Sequence, residues 1–557
     1  MKYPEIKLAQ QIIQLCKSYQ LSHVVISPGS RNAPLTMGFY EDPFFNCYSI
    51  VDERSAAFFG LGIAQQLKFP VILVCTSGSA LLNYYPAISE AFYSDIPLVI
   101  ISADRPAHKI DIGDGQTIRQ ANVFSNHIAY SANLSGSRER VSEDEKLLNS
   151  ALTRCFELNA PVHINAPFEE PLYGMIEGSL PAVGNRYIKE NVIIFEDEAL
   201  PSFIEDWNQY SKKLVLVGVQ HPNEISEEII TLLANDPSVI VLTETTSNLH
   251  HEDFFPAIDQ LIAPIEKDDT KIIDLKPEML ITFGGMIISK KIKAFLRKYT
   301  PQKHYHIDTK KAYNTYFCLS HHYKTSVNIF FGTVREQLVK LESQYKAYWK
   351  EVESHRKQQH SLYISKIAFS DFWVYSQLFA GIPSPAMLQL SNSSTVRYAQ
   401  LFELNRSLQV FCNRGTSGID GSTSTAIGAA NASEMPSFLI TGDLSFFYDS
   451  NALWNEYIPN NFKIVVINNG GGGIFRILPG PKTSHKFHRY FETRHDLNAS
   501  DLCKMYGLKY ISVKNKETFI QVLPDFFSYQ EGPILLEVFT PTALNDQILL
   551  DYFKFIR

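Results

Sequence analysis

No apolar run in the 557-residue chain approaches the ~20 residues that a bilayer-spanning helix needs, so membrane insertion is not expected. Cysteine is sparse, with seven residues at 16, 47, 75, 155, 318, 412 and 503 and no C-x-x-C pair. That scatter argues against a zinc site and a disulfide framework, and it fits a reducing cytoplasm. Excess positive charge is also missing. A formal net charge of −7 and a pI near 6.2 give nucleic acid no general electrostatic footprint, though a local basic pocket for a small anion is compatible with them. The opening residues Met1-Lys2-Tyr3-Pro4-Glu5 lack an apolar core and run into an amphipathic pattern through Ile12, Ile13 and Leu15, which does not read as a signal peptide. Short tandem repeats and low-complexity segments are lacking as well.

What the chain does have is 45% hydrophobic and 20% charged residues, the balance of an ordinary globular protein, in a length too great for one core. Short β-branched runs alternate with helical patterns. His23-Val24-Val25-Ile26, Val71-Ile72-Leu73-Val74-Cys75 and Leu98-Val99-Ile100-Ile101 each lead into a polar loop, and continuous apolar runs of this kind suit parallel strands covered on both faces. Prolines 167, 171, 181 and 201 and an acidic stretch read as a linker at about 170–200. A second α/β unit begins with Leu214-Val215-Leu216-Val217-Gly218 and includes Val239-Ile240-Val241-Leu242 and the strand ending at Gly284. Residues 333–365, rich in Lys, Glu, Gln and Tyr, predict a solvated connecting helix. A third unit holds Phe438-Leu439-Ile440, Ile464-Val465-Val466-Ile467 and Ile534-Leu535-Leu536-Glu537-Val538. The expected fold is therefore α/β, with three domains at 1–180, 190–345 and 365–557, each a mainly parallel sheet flanked by helices.

In open α/β sheets ligands gather beyond the carboxyl ends of the strands. There the third unit carries Gly442-Asp443-Leu444-Ser445 and, after the next strand, Asn468-Asn469-Gly470-Gly471-Gly472-Gly473-Ile474-Phe475. Asp443 supplies a carboxylate, Asn469 an amide oxygen and a glycine just beyond, Gly471, a carbonyl: an oxygen set suited to Mg2+ shared with a substrate phosphate. The glycines also let backbone approach a diphosphate. Asp and Asn residues that merely cap turns at strand ends would look the same.

The first unit adds Ser27-Pro28-Gly29-Ser30-Arg31, Val51-Asp52-Glu53-Arg54 before a helical run, Cys75-Thr76-Ser77-Gly78, Ala103-Asp104-Arg105-Pro106 and Gly115-Gln116-Thr117-Ile118-Arg119-Gln120. Together with the Asn-Arg-Gly-Thr-Ser-Gly-Ile-Asp-Gly run of residues 413–421 and the Gly-Gly-Ile-Phe run of 472–475, in this order, the whole chain resembles the thiamine-diphosphate-dependent enzymes. The resemblance implies pyrimidine-binding, central and diphosphate-binding domains, in that order. It implies thiamine diphosphate as cofactor, anchored through Mg2+ or Mn2+ on Asp443, Asn469 and Gly471, with Ser77, Gly78, Leu444 and Ser445 also against the cofactor. Glu53 is implied as the acid that hydrogen-bonds the aminopyrimidine and promotes proton removal from the thiazolium carbon. Ile419 is implied as the apolar wedge that holds the cofactor bent. The substrates implied are 2-oxoglutarate, which is decarboxylated, and isochorismate, which receives the four-carbon product on the way to menaquinone. Arg31, Arg105, Arg397 and Arg414 match positions that hold substrate carboxylates, for which the rigid guanidinium fork is suited. Ser30, Gln116 and Ser393 are the implied hydrogen-bonding partners, Lys290 and Lys291 reach in from the central domain, and Ile474 and Phe475 wall the substrate ring. A homodimer or dimer of dimers is implied, with each site shared between the first domain of one subunit and the third of another.

Three positions depart from the wider pattern. Leu444 stands where most of these enzymes have glycine, Gly115 where asparagine is expected, and Lys290-Lys291 where a Lys-Arg pair is expected, keeping the charge but losing the fork. Two other readings remain: a simple 2-oxoacid decarboxylase or other carboligase using the same cofactor, and a catalytically silent binding protein of the same fold. His250-His251 and His321-His322 lie in the middle unit, away from where such decarboxylases use a His pair, and the strand at 214–218 is not followed by a G-x-G-x-x-G fingerprint for a flavin.

Overall fold

The computed structural model describes residues 2–178, 195–477 and 485–557. Pro181 and the rest of residues 179–194, within the segment expected as a linker, lie outside the described residues. The Val- and Ile-rich runs become strands because branched side chains pack well on a pleated surface, and they are parallel because helices return the chain over each face. β1 (Lys2–Pro4) precedes the first sheet. β2 (His23–Ile26), β3 (Asn46–Ser49), β4 (Val71–Cys75), β5 (Leu98–Asp104), β6 (Tyr130–Asn133) and β7 (Val162–Pro167) make a parallel six-stranded sheet in the order β3-β2-β4-β5-β7-β6. β8 (Met175–Glu177) then pairs antiparallel with β1.

The middle unit contains β9 (Lys213–Val217), β10 (Val239–Leu242), β11 (Met279–Phe283), β12 (Lys303–Ile307) and β13 (His321–Tyr323), parallel in the order β10-β9-β11-β12-β13. The third sheet consists of β14 (Ala386–Leu390), β15 (Leu408–Phe411), β16 (Ser437–Gly442), β17 (Phe462–Asn468), β18 (Lys509–Val513) and β19 (Ile534–Phe539), ordered β15-β14-β16-β17-β19-β18. Counted from its own first strand, the third sheet repeats the order of the first. The repetition is invisible as sequence periodicity. Its consequence is two equivalent crevices, one between β2 and β4 and one between β14 and β16, where the chain order reverses and the carboxyl ends open for a ligand.

The two repeated units share a continuous apolar core. The helix Glu53–Leu67 packs on the helix Ser422–Asn431, and Phe58, Phe59, Leu61 and Ile63 join Ala426, Ile427 and Ala429 in one buried cluster. The approach is close enough that a Cβ on Gly62 would lie 2.1 Å from the Thr425 carbonyl oxygen and one on Gly428 2.0 Å from that of Phe59. At the corresponding crevice of the middle sheet, a Cβ on Gly218 would lie 1.9 Å from the Gly285 carbonyl oxygen, so backbone closes the space. That unit docks on the third, where Asn248 Nδ2 donates to the Val410 carbonyl and its Oδ1 accepts from the Val410 amide at 2.9 and 2.8 Å, and on the first, where Lys310 and Lys311 pair with Asp95.

The connecting helix differs from expectation. It runs Tyr345–Lys366, and before it only a short 3-10 turn at Arg335–Gln337 is helical in the expected stretch after Val334. It is not merely solvated, because Tyr345 and Trp349 are 4% and 1% exposed and pack on the middle unit. Among the described residues no helix is long and apolar enough to cross a membrane.

Candidate active site

Register brings the third unit's loops together. β16 and β17 pair Gly442 with Ile467, so Asp443 and the Asn468-Asn469 pair leave adjacent strands at the same edge. Asp443 opens the helix Asp443–Tyr448 and is buried. Its Oδ1 accepts from the Leu444 amide at 2.6 Å and its Oδ2 from the Gly471 amide at 2.9 Å. His495 Nε2 stands 3.4 Å from the same Oδ2, and this pairing raises the imidazole pKa.

The two asparagines have different tasks. Asn468 is consumed by structure: its Nδ2 donates to Glu537 Oε1 at 2.7 Å and to the Leu497 carbonyl at 2.9 Å. Asn469 donates its Nδ2 to Asp371 Oδ2 at 2.9 Å, which leaves Oδ1 buried without a partner. Buried acceptors in native proteins are nearly always satisfied, and an orphaned amide oxygen beside a buried carboxylate is the donor chemistry of a hard cation site. Asp371, absent from the expected set, fixes this orientation. Burial pushes its carboxyl up to about 6, opposed by hydrogen bonds from Thr540 and Asn469. Gly471 adopts φ +142°, and a Cβ there would lie 2.5 Å from the Glu492 carbonyl oxygen, so the turn requires glycine.

The Gly-rich loop rests on a second group that sequence reading missed. The buried Glu492 carboxylate accepts from Arg476 Nε, from His488 Nδ1 at 2.5 Å and from Arg494 Nε at 2.8 Å. Burial opposes its ionisation, but these three donors prevail and hold the carboxyl down at about 2. Ile474 is half-buried, and Phe475 lies on the rim with its ring 5.9 Å from that of Phe491.

After β14, Ser393 takes φ +70° and its carbonyl accepts from Arg397 Nη1 at 2.7 Å. Arg414 donates through Nη1 to Asn392 Oδ1 at 2.6 Å, while Asn392 Nδ2 donates to the carbonyls of Asn413 and Gly418. Burial lowers the Arg397 pKa, and the nearby Arg414 charge lowers it further. Ser445 Oγ donates to the Ile419 carbonyl at 3.0 Å, which ties the expected wedge to the loop of Asp443.

At the first sheet's edge, Arg105 Nη1 donates to Ser77 Oγ at 2.8 Å and to the Gln116 carbonyl at 3.1 Å, bringing three expected residues together. Gly78, at φ +89°, donates its amide to Gln120 Oε1 at 2.9 Å. Glu53 begins its helix, half-buried, and its Oε2 accepts from Asn83 Nδ2 at 3.2 Å. Ser30 is exposed, whereas Arg31 is buried and committed to the Phe168 carbonyl at 2.9 Å and Glu170 Oε1 at 2.8 Å. Lys290 and Lys291 open the helix Lys290–Lys298; Lys290 is exposed, and Lys291 Nζ pairs with Glu266 at 2.7 Å.

These two units have known counterparts. Residues 6–128 match the family described as "Thiamine pyrophosphate enzyme, N-terminal TPP binding domain" and residues 392–538 the one described as "Thiamine pyrophosphate enzyme, C-terminal TPP binding domain". The fold is similar to that of benzoylformate decarboxylase from Polynucleobacter necessarius, with a TM-score of 0.71 over 96% of this chain and 99% of that one at 15% identity. The class is thus the thiamine pyrophosphate enzymes. Within it, the chain belongs to the family of 2-succinyl-5-enolpyruvyl-6-hydroxy-3-cyclohexene-1-carboxylate synthases. It is 54% identical to the protein of that name from Flavobacterium psychrophilum and 53% identical to that from Christiangramia forsetii, in each case over 100% of both chains. Against the one from Porphyromonas gingivalis, identity is 36% over 100% of this chain and 98% of that one.

Proposed function

We propose that the protein decarboxylates 2-oxoglutarate and adds the resulting four-carbon unit to isochorismate, giving 2-succinyl-5-enolpyruvyl-6-hydroxy-3-cyclohexene-1-carboxylate and CO2 for menaquinone biosynthesis in the cytoplasm. The observation that carries this reading is a set of arginines that no carboxylate pairs with directly. Arg105, Arg397 and Arg414 donate to neutral oxygens, and among the described residues none is ion-paired to a carboxylate. Half-buried guanidinium groups so arranged call for an anionic ligand, and both substrates are polycarboxylates.

When bound, thiamine diphosphate supplies the carbon nucleophile and the electron sink for decarboxylation and carbon–carbon bond formation. Mg2+ or Mn2+ would be held by the Asp443 carboxylate, Asn469 Oδ1 and the Gly471 carbonyl, and Ser77, Gly78, Leu444 and Ser445 would line the cofactor. Glu53 holds a proton at the aminopyrimidine ring nitrogen. Ile419 would pack against the cofactor and hold its orientation. Arg105, Arg397 and Arg414, with Ser30, Gln116 and Ser393, orient the substrate carboxylates; Arg31, paired with Glu170, braces the loop that carries Ser30, and Lys290, beside the Lys291–Glu266 pair, adds positive charge from the middle unit. Ile474 and Phe475 exclude water from the open side. The protein works as a homodimer or dimer of dimers. Exposed Val51 and Leu82 near Glu53, 43% and 40% accessible, support a partner subunit over that edge.

The test is incubation of the protein with thiamine diphosphate, Mg2+ and 2-oxoglutarate, with and without isochorismate. CO2 release coupled to consumption of isochorismate is expected. Release of succinic semialdehyde as the main reaction, regardless of isochorismate, would identify a decarboxylase instead.

A further inference from the structure

The loop of residues 413–421 is gripped from outside its own unit. Glu90, on the helix Tyr85–Ser94 of the first unit, is 1% exposed, and its carboxylate faces the backbone of that loop. Oε1 accepts from the Gly415 amide at 2.6 Å and from Ser94 Oγ at 2.8 Å; Oε2 accepts from the Thr416 amide at 2.6 Å and from Thr416 Oγ1 at 2.8 Å. Among the described residues no cation pairs with this carboxylate, so four hydrogen-bond donors replace its water, two of them consecutive backbone amides. The seat is close: a Cβ on Gly415 would lie 2.4 Å from the Glu90 carbonyl oxygen.

Within its own unit the loop is tied by Asn392 to the carbonyls of Asn413 and Gly418, and by Ser445 to that of Ile419. The stretch between those ties is fixed from across the domain boundary. We propose that Glu90 is a positioning residue that clamps residues 415–416 to the first unit and so sets the places of Arg414 and Ile419 in the active site. A buried carboxylate serving only stability could sit anywhere on the boundary. This one bonds the two residues that directly follow Arg414, three positions before Ile419.

The proposal rests on the functional reading above, and its test separates the two. Glu90→Gln keeps the shape of the side chain but turns an NH2 group toward amide donors. Thr416→Val removes only the hydroxyl bond, at an exposed residue. With saturating cofactor, Glu90→Gln is expected to raise the substrate KM about tenfold or more with a smaller fall in kcat, the signature of misplaced binding groups. Thr416→Val should shift KM about threefold in the same direction and add nothing in the Glu90→Gln background, because both act through one contact. Unchanged KM together with unchanged kcat, or fully multiplicative effects of the two variants, would each overturn the clamp. Amide hydrogen exchange reads the clamp without any substrate. Residues 415–416 should lose protection in both variants while the strands keep theirs, and unchanged protection there sinks the proposal even if the substrates have been misassigned.

Discussion

An acidic residue at the first position of a helix is already favoured by the helix dipole, by about 0.3–1 kcal/mol, and Glu53 occupies that position. Its proposed proton-holding role is therefore separable from its local one by a neutral isostere. Glu53→Gln should retain most thiamine diphosphate affinity, because the amide still bonds the ring, yet lose about 10²–10⁴-fold in turnover. Steady-state assay beside a cofactor titration decides it, and near-normal turnover would confine Glu53 to its favourable place in the helix's first turn. Glu492 carries a pH signature. Its folded pKa, about 2, lies below the ordinary 4.5, so its contribution to stability is full above about 4.5 and is lost as pH falls through about 2. Denaturation midpoints of the wild type should fall more steeply across that window than those of Glu492→Gln. At neutral pH the variant should be less stable by about 3 kcal/mol, because Arg476 is left buried without its anion.

At the scale of elements, the close approach of the helices Glu53–Leu67 and Ser422–Asn431 makes Gly62 and Gly428 sensitive positions. Gly428→Ala would ordinarily favour a helix, but here it drives a methyl into the Phe59 carbonyl. The expected net effect is a loss of about 1–3 kcal/mol in chemical denaturation, with Glu53 displaced and activity reduced; a stabilised variant would contradict the packing. The same elements show what sequence could reveal. Strands such as Val71–Cys75 and Phe462–Asn468 were legible because a strand covered on both faces must be apolar throughout, and Asp443 and Asn469 were legible because strand ends point to the crevice. The helix at 345–366 was misjudged because Tyr345 and Trp349 bury themselves among lysines and glutamates whose charges stay in water. Asp371, Glu90 and Glu492 were missed for a different reason. Each acts on a residue 16 to 326 positions away, through contacts that form only once the chain has folded and, for Glu90, once two units have docked.

For the whole molecule, the repeated sheet order carries the strongest consequence. Two units of one topology, joined through one core, present two crevices, and Glu53 belongs to the first while Asp443, Asn469 and Ile419 belong to the third. In a C2 dimer with shared sites, each chain gives Glu53 to one site and Asp443 to the other. Two individually inactive variants should then rescue each other. In a mixed dimer of Glu53→Gln and Asp443→Ala chains, one site carries both lesions and the other carries neither. Random re-association of equal amounts makes half the dimers mixed, each with one intact site, so about a quarter of wild-type activity should return. If both residues of a site came from one chain, every site in every mixed dimer would keep a lesion and no activity would return. Co-refolding the two variants, or co-expressing them with different tags and isolating the doubly tagged dimer, distinguishes the arrangements by rate alone.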